Sequence, residues 1–167
     1  MGRRCPETGE YVLYTACLEC EKRSSCGRTP PEKPVFALLV VGTRTFEDYE
    51  FVSRKLDATI ANIRDKYRFL IVSGGARGVD TLAEAYAANN GMEFKKFPPD
   101  WGRFGKSAGY IRNKEMHAFI AQYPHRGCCA FWDGRSLGTA HSFELARIHH
   151  TQLSVIRIPS KQEDQTE

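Results

Sequence analysis

The residues best suited to chemistry lie in four short stretches that each combine glycine with polar side chains. They are Gly42-Thr43-Arg44, Ser73-Gly74-Gly75-Ala76-Arg77-Gly78-Val79-Asp80, Asp100-Trp101-Gly102 and Asp133-Gly134-Arg135-Ser136-Leu137-Gly138-Thr139. Glycine lets backbone approach a ligand closely, and a helix start offers free N–H groups and a favourable dipole to an anion. Ser73 to Gly78 and Ser136 to Thr139 are therefore expected to cradle phosphate or ribose. Arg44 carries a forked guanidinium that suits phosphate, with a surface ion pair as its other reading. Asp80 suits ribose hydroxyls, or simply the first turn of a helix, where carboxylates are favoured. Trp101 offers a face for stacking on a base. Trp132 is expected to be core at a strand end. Arg112 and Asn113 begin a helix at the same edge and are suited to touch an anion, with an exposed helical face as their other reading. If the site cleaves an N-glycosidic bond, Asp80, Asp133 and Glu144 are the carboxylates that would stabilise or protonate around an oxocarbenium-like centre. His141, just after Gly138-Thr139, is the one histidine with a candidate ligand role. No Lys-Ser/Thr pair follows either glycine turn, so neither is a P-loop. No nucleophile elbow occurs.

The elements that must position these residues alternate. Val35 to Val41 and Phe69 to Val72 are continuous apolar runs, as buried parallel strands require. Glu93 to Phe97, Gly127 to Trp132 and Leu153 to Ile158 supply three more strands. Between them, apolar residues recur at helical spacing. Val52, Leu56, Ile60, Ile63 and Tyr67 mark one helix, with Thr45 as its expected N-cap and Glu47 and Asp48 in its first turn. Val79, Leu82, Ala83, Tyr86 and Ala87 mark the second, ending near Asn89-Asn90-Gly91. Residues 109–121 and 139–150 supply the last two, and the Asp100 stretch is expected to be a loop. The expected fold is α/β, a doubly wound parallel Rossmann-like sheet of about five strands with helices on both faces. In such sheets ligands bind beyond the carboxyl ends of the strands, where all four glycine stretches fall.

Residues 1–33 differ in kind. They hold Cys5, Cys17, Cys20 and Cys26 and end in a proline-rich linker, Thr29 to Pro34. Cys17-x2-Cys20 has the spacing of a zinc knuckle, and Cys5 and Cys26 would complete a closed, structural four-thiolate Zn²⁺ site. Two disulfides, or four reduced cysteines in a disordered tail, are the competing readings. Cys128 and Cys129 read as buried strand residues. The domain is expected to span 34–159, and 160–167 to be a disordered tail.

The chain has 167 residues, of which 41% are hydrophobic, and a net charge of +4. No apolar run reaches membrane-spanning length, and the expectation is a cytoplasmic protein that does not bind membranes. A small positive balance suits an anionic ligand, and ranks nucleic acid behind a small molecule as partner. The expected assembly is a homodimer.

Residues 35–158 resemble the SLOG superfamily, the Rossmann-like fold shared by DNA-processing protein A and the "lonely guy" phosphoribohydrolases. The match is to the bacterial and phage YspA/cpYpsA-related subgroup. It rests on Val41-Gly-Thr-Arg44, Val72 to Asp80, Asp100-Trp101-Gly102 with Gly105-Lys106, Gly109-x2-Arg112-Asn113, and Phe131-Trp-Asp-Gly-x-Ser-x-Gly-Thr139. The resemblance implies a pocket for a nucleotide or an ADP-ribose-like derivative, in a sensor, carrier or sequestering protein. It also implies two alternatives: an N-glycosidase of the phosphoribohydrolase kind, or a nucleic-acid accessory protein. The phosphoribohydrolases carry Pro-Gly-Gly-x-Gly-Thr closely followed by a glutamate. Here the paired glycines are absent and Glu144 lies farther on.

Overall fold

The computed structural model describes residues 2–4, 10–13 and 32–159. The chain divides into two units, Met1–Lys33 and Pro34–Glu167. In the first, β1 (Gly2–Arg4) and β2 (Tyr11–Leu13) pair antiparallel, with Arg3 opposite Val12. Cys5, Cys17, Cys20 and Cys26 lie outside the described residues, as do 160–167.

The second unit is a five-stranded, all-parallel sheet: an α/β, Rossmann-like fold. Its strands are β3 (Val35–Gly42), β4 (Arg68–Ser73), β5 (Glu93–Lys96), β6 (His125–Trp132) and β7 (Gln152–Arg157). Their order across the sheet is β5-β4-β3-β6-β7. The helices are α1 (Tyr49–Ile60), α2 (Val79–Asn89), α3 (Trp101–Phe104), α4 (Ala108–Ala121) and α5 (Leu137–Ile148). Among the described residues, no helix is long and apolar enough to cross a membrane.

The apolar strands are continuous because both faces of the sheet are covered. Successive side chains alternate between faces, so each strand feeds two cores. Leu38 and Val40 pack with Val52, Leu56, Val79 and Tyr86 of α1 and α2. Ala37, Leu39 and Val41 pack on the other face with Met116 and Ile120 of α4, and Phe143 of α5 borders that core. Adjacent cysteines follow the same rule: Cys129 joins the first core and Cys128 the second. Both are buried free thiols, and burial pushes Cys129 up to about 12. They are apolar core residues.

Two local expectations shift. The first helix begins at Tyr49, and Asp48 rather than Thr45 caps it, its carboxylate accepting from the Phe51 N–H at 2.9 Å. Aspartate is at least as good a cap as threonine, and the Thr45 hydroxyl lies instead 3.3 Å from that of Thr43. Glu50, rather than Glu47 and Asp48, occupies the first turn. The stretch after Pro98-Pro99 is not a loop. Asp100 caps α3 by accepting from the Arg103 N–H at 2.9 Å, and a 3₁₀ turn, Gly105–Ser107, leads into α4.

The strand order places β3 and β6 side by side, paired from Phe36–His125 to Gly42–Phe131. The chain leaves β3 toward α1 on one face and β6 toward α5 on the other. That is the topological switch point, where a crevice opens beyond the strand ends. Leu39, fully buried beside it, tests the packing. Leu39→Ala is expected to cost about 3 kcal/mol, within the range of about 2–5 for such truncations, as a fall in the urea unfolding midpoint with an unchanged slope.

Candidate functional site

A cleft of about 440 Å³ opens at the switch point. Its floor is Val41, Gly42 and Thr43 at the end of β3. One wall is Ala76 and Asp80 of the glycine turn before α2. The facing wall is Asp133, Ser136, Gly138 and Thr139, and the mouth holds Arg44, Trp101, Lys106, Tyr110 and Arg135. Arg112 and Asn113 close the back. The fold thus gathers residues from three of the four glycine stretches, plus Trp101 of the fourth, into one concavity.

Arg112 organises the back wall. It is buried, not on an exposed helical face. Its Nη1 donates to the Gly74 carbonyl at 2.8 Å and its Nε to Asn113 Oδ1 at 3.2 Å. Gly74 is required there, because a Cβ would sit 2.0 Å from Arg112 Nη1. Asp80 lies beside the same guanidinium, 3.8 Å from Nη1, and its carboxylate accepts from the Ala76 N–H at 3.1 Å. Burial raises the Asp80 pKa, with Arg112 opposing, and burial lowers that of Arg112, with Asp80 opposing. The next residue reaches the other wall: Asn113 Nδ2 donates to the Gly138 carbonyl at 3.0 Å. Consecutive side chains of α4 therefore hold both glycine turns.

The turn before α2 is largely consumed by the protein. Ala76 N–H goes to Asp80, and Val79 N–H to the Thr43 carbonyl at 3.2 Å. Gly78, with φ of 75°, lies where a Cβ would meet the Thr43 carbonyl oxygen at 2.4 Å, so only glycine permits the close approach of α2 to β3. Of this turn, Ala76 and Asp80 face the cleft, whereas Ser73, Gly74, Gly75, Arg77 and Gly78 lie behind or beside it. The α5 turn is more open. Asp133 Oδ1 accepts from the N–H groups of Arg135 (2.9 Å) and Ser136 (2.8 Å), and Oδ2 from the Thr43 hydroxyl (3.1 Å). Burial works against the charge on Asp133, but those donors outweigh it and hold the carboxyl below its ordinary range. Ser136 caps Thr139, which leaves the Leu137 and Gly138 N–H groups at the helix start with no acceptor among the described residues.

Other expected residues serve elsewhere. Glu144 is exposed and pairs with Arg147 on α5, whose Nε donates to it at 3.1 Å, so the structure does not bring it to the cleft. Asp100 works as a helix cap, and Gly134 packs against the Arg157 guanidinium. His141 stands edge-on to Tyr110 with ring centroids 5.0 Å apart. Trp132 packs on Phe143, as strand-end packing requires. Among the described residues, no group of three or more His, Cys, Asp or Glu is placed to hold a metal ion.

Lys106, Tyr110, Met116 and Arg135 line the cleft without having been singled out as site residues. Gly109 lines it as well. A Cβ there would lie 3.7 Å from Trp101 and 4.0 Å from Arg44 Nη2, ordinary contact distances, so Trp101 and Arg44 sit close over the start of α4. Arg44 lies over the Trp101 ring, 5.6 Å from its centroid.

Residues 36–104 match the YspA, cpYpsA-related SLOG family. The chain is also 35% identical over 115 residues to Gene 61 protein of Mycobacterium phage D29, spanning 66% of this chain and 87% of that protein. The chain belongs to the YspA, cpYpsA-related SLOG family. A solved structure, a predicted subunit of a tRNA methyltransferase from Methanocaldococcus jannaschii, is similar at 14% identity and a TM-score of 0.35. That likeness covers 75% of this chain and 68% of the other.

Two expected outcomes follow for this SLOG domain. Arg112→Leu strands a buried carboxylate and is expected to destabilise by about 3 kcal/mol or more. The double variant Arg112→Leu/Asp80→Leu should recover part of that loss in a double-mutant cycle by urea unfolding. The second concerns His117 on α4, fully buried, with neither ring nitrogen hydrogen-bonded and its ring stacked on His149 at 6.4 Å. Burial lowers its pKa to about 4, with His149 and His141 adding to the shift. The unfolded chain takes up this proton near pH 6.5 and the folded chain does so only near 4, so stability should fall between those values as pH drops. His117→Leu should flatten that part of the pH profile of the unfolding midpoint.

Proposed function

We propose that this domain binds a nucleotide-derived ligand carrying a negatively charged phosphate or diphosphate, as a sensor, carrier or sequestering protein. The observation that carries the reading is the charge pattern of the cleft. Arg44, Lys106, Arg112 and Arg135 border it, whereas its two carboxylates, Asp80 and Asp133, are already engaged by protein donors. The unengaged polarity is positive. Arg112 has five N–H donors and makes two protein hydrogen bonds, so its guanidinium retains donors at the back wall. The Gly138 N–H, at a helix start on the cleft wall and without an acceptor among the described residues, is available to an anion in the manner of helix starts generally. Trp101, 48% exposed at the mouth, supplies a stacking face for a base. Family membership and the Rossmann-like fold support the same ligand class. The cleft volume falls in the ordinary range for small-molecule sites.

Isothermal titration against nucleoside monophosphates and diphosphates, ADP-ribose and the parent nucleosides tests this. Binding of at least one phosphate-bearing member and none of the nucleosides is expected. Arg44→Ala should weaken it about tenfold or more, the scale of one charge-assisted contact at roughly 1.4 kcal/mol per decade. Silence from the whole panel at millimolar concentration would refute the reading.

A further inference from the structure

The chain's basic residues are not spread evenly. Between Trp101 and Lys114 stand Arg103, Lys106, Arg112 and Lys114, and no Asp or Glu. Arg112 is buried against Asp80, so three of these cations, Arg103, Lys106 and Lys114, reach the surface, and exposed Asp100 and Glu115 flank the segment. The same fourteen residues hold three of the exposed aromatic rings: Trp101 at 48%, Phe104 at 36% and Tyr110 at 44%. Neither α3 nor the 3₁₀ turn buries any residue, so this segment presents its side chains outward. Tyr110 and Lys114 stand one turn apart on one face of α4.

Cations and rings are interleaved within this surface. The Arg103 guanidinium lies over Phe104, 4.9 Å from its centroid, and Arg44 lies over Trp101. Trp101, Lys106 and Tyr110 also line the cleft, so the surface runs into its mouth, where Arg135 adds another exposed cation. Rings for stacking beside cations for a phosphate backbone are how single-stranded nucleic acids are held without sequence preference.

We propose that the surface formed by Arg103, Phe104, Trp101, Tyr110 and Lys114 binds single-stranded nucleic acid across the mouth of the cleft. A lone nucleotide does not reach Arg103, Phe104 or Lys114, none of which borders the cleft. A strand of several nucleotides covers them. Anionic lipid would meet the same charges. The opening of this surface into a nucleotide-shaped cleft, and the cations lying over ring faces, favour stacked bases.

Fluorescence anisotropy of the full chain with a labelled oligothymidylate of about 20 nucleotides tests this, across a range of KCl concentrations. Micromolar binding at low salt is expected, with log affinity falling against log salt at a slope of about −2 to −3, as three or four phosphate contacts give. The triple variant Arg103→Ala/Phe104→Ala/Lys114→Ala changes exposed residues alone. It should keep its unfolding midpoint, bind the oligonucleotide at least tenfold more weakly and show a shallower slope. Its titration with mononucleotides should be unchanged, which separates this surface from the cleft. No binding at low salt, equal binding by the triple variant, equally tight binding of a duplex of the same length, or binding only to phosphatidylglycerol-containing vesicles would each overturn the proposal.

Discussion

The site depends on one buried guanidinium. Arg112 occupies the volume that a side chain at Gly74 would fill, and binds that residue's carbonyl. A charge so largely buried needs compensation, and Asp80 with the carbonyl supplies it. The pair gives little net stability by itself, since desolvation shifts both partners toward their neutral forms. Its value is positional. Arg112 fixes the turn after β4 against α4, and Asn113 beside it fixes the turn after β6. The two turns belong to strands separated by β3 in the sheet, and a single helical step sets their spacing.

Much else follows from that clamp. With α4 tied to both turns, the cleft between them has a defined width, and the β3 end becomes its floor. Thr43 links floor to wall through Asp133, which in turn shapes the α5 start by taking two N–H groups. The glycines divide by purpose. Gly42, Gly74 and Gly78 admit neighbouring protein atoms, namely Val79, Arg112 and the Thr43 carbonyl. Gly138 meets nothing within 4 Å and leaves its helix start open to the cleft. A glycine-rich turn is thus as much a packing device as an anion cradle, and here the two turns separate those functions.

The fold was legible because parallel sheets write themselves plainly: apolar runs broken by glycine, then helices at regular spacing. The strand runs at Val35 and Phe69, and the α2 end at Asn89 to Gly91, needed only local rules. The cap at Asp48 was misplaced because Thr45, Glu47 and Asp48 all suit a helix start, and sequence does not rank them. At the site, the edge was legible but the direction of each side chain was not. Asp80, Asp100 and Glu144 look alike as carboxylates near glycine. A tertiary contact makes the first a buried counter-ion, whereas partners three residues on make the second a helix cap and the third an exposed ion-pair member. Arg112 belongs with them, since nothing in Gly109-x2-Arg112-Asn113 reveals that the arginine points inward, to a glycine almost forty residues earlier.

The carboxylates also bear on what the cleft can do. Cleaving an N-glycosidic bond asks for one carboxyl able to hold a proton and another able to face developing positive charge. Asp133, its pKa lowered by hydrogen bonds, spends both oxygens on protein donors. Asp80 has a raised pKa, yet burial and the Arg112 contact commit it to the wall. A developing cation would face Arg44, Lys106 and Arg135 at the mouth. That field opposes an oxocarbenium-like centre and favours a stable anion. For the anionic ligand proposed above, the same arrangement would act as a preorganised receptor, because its donors are held in place before any ligand arrives.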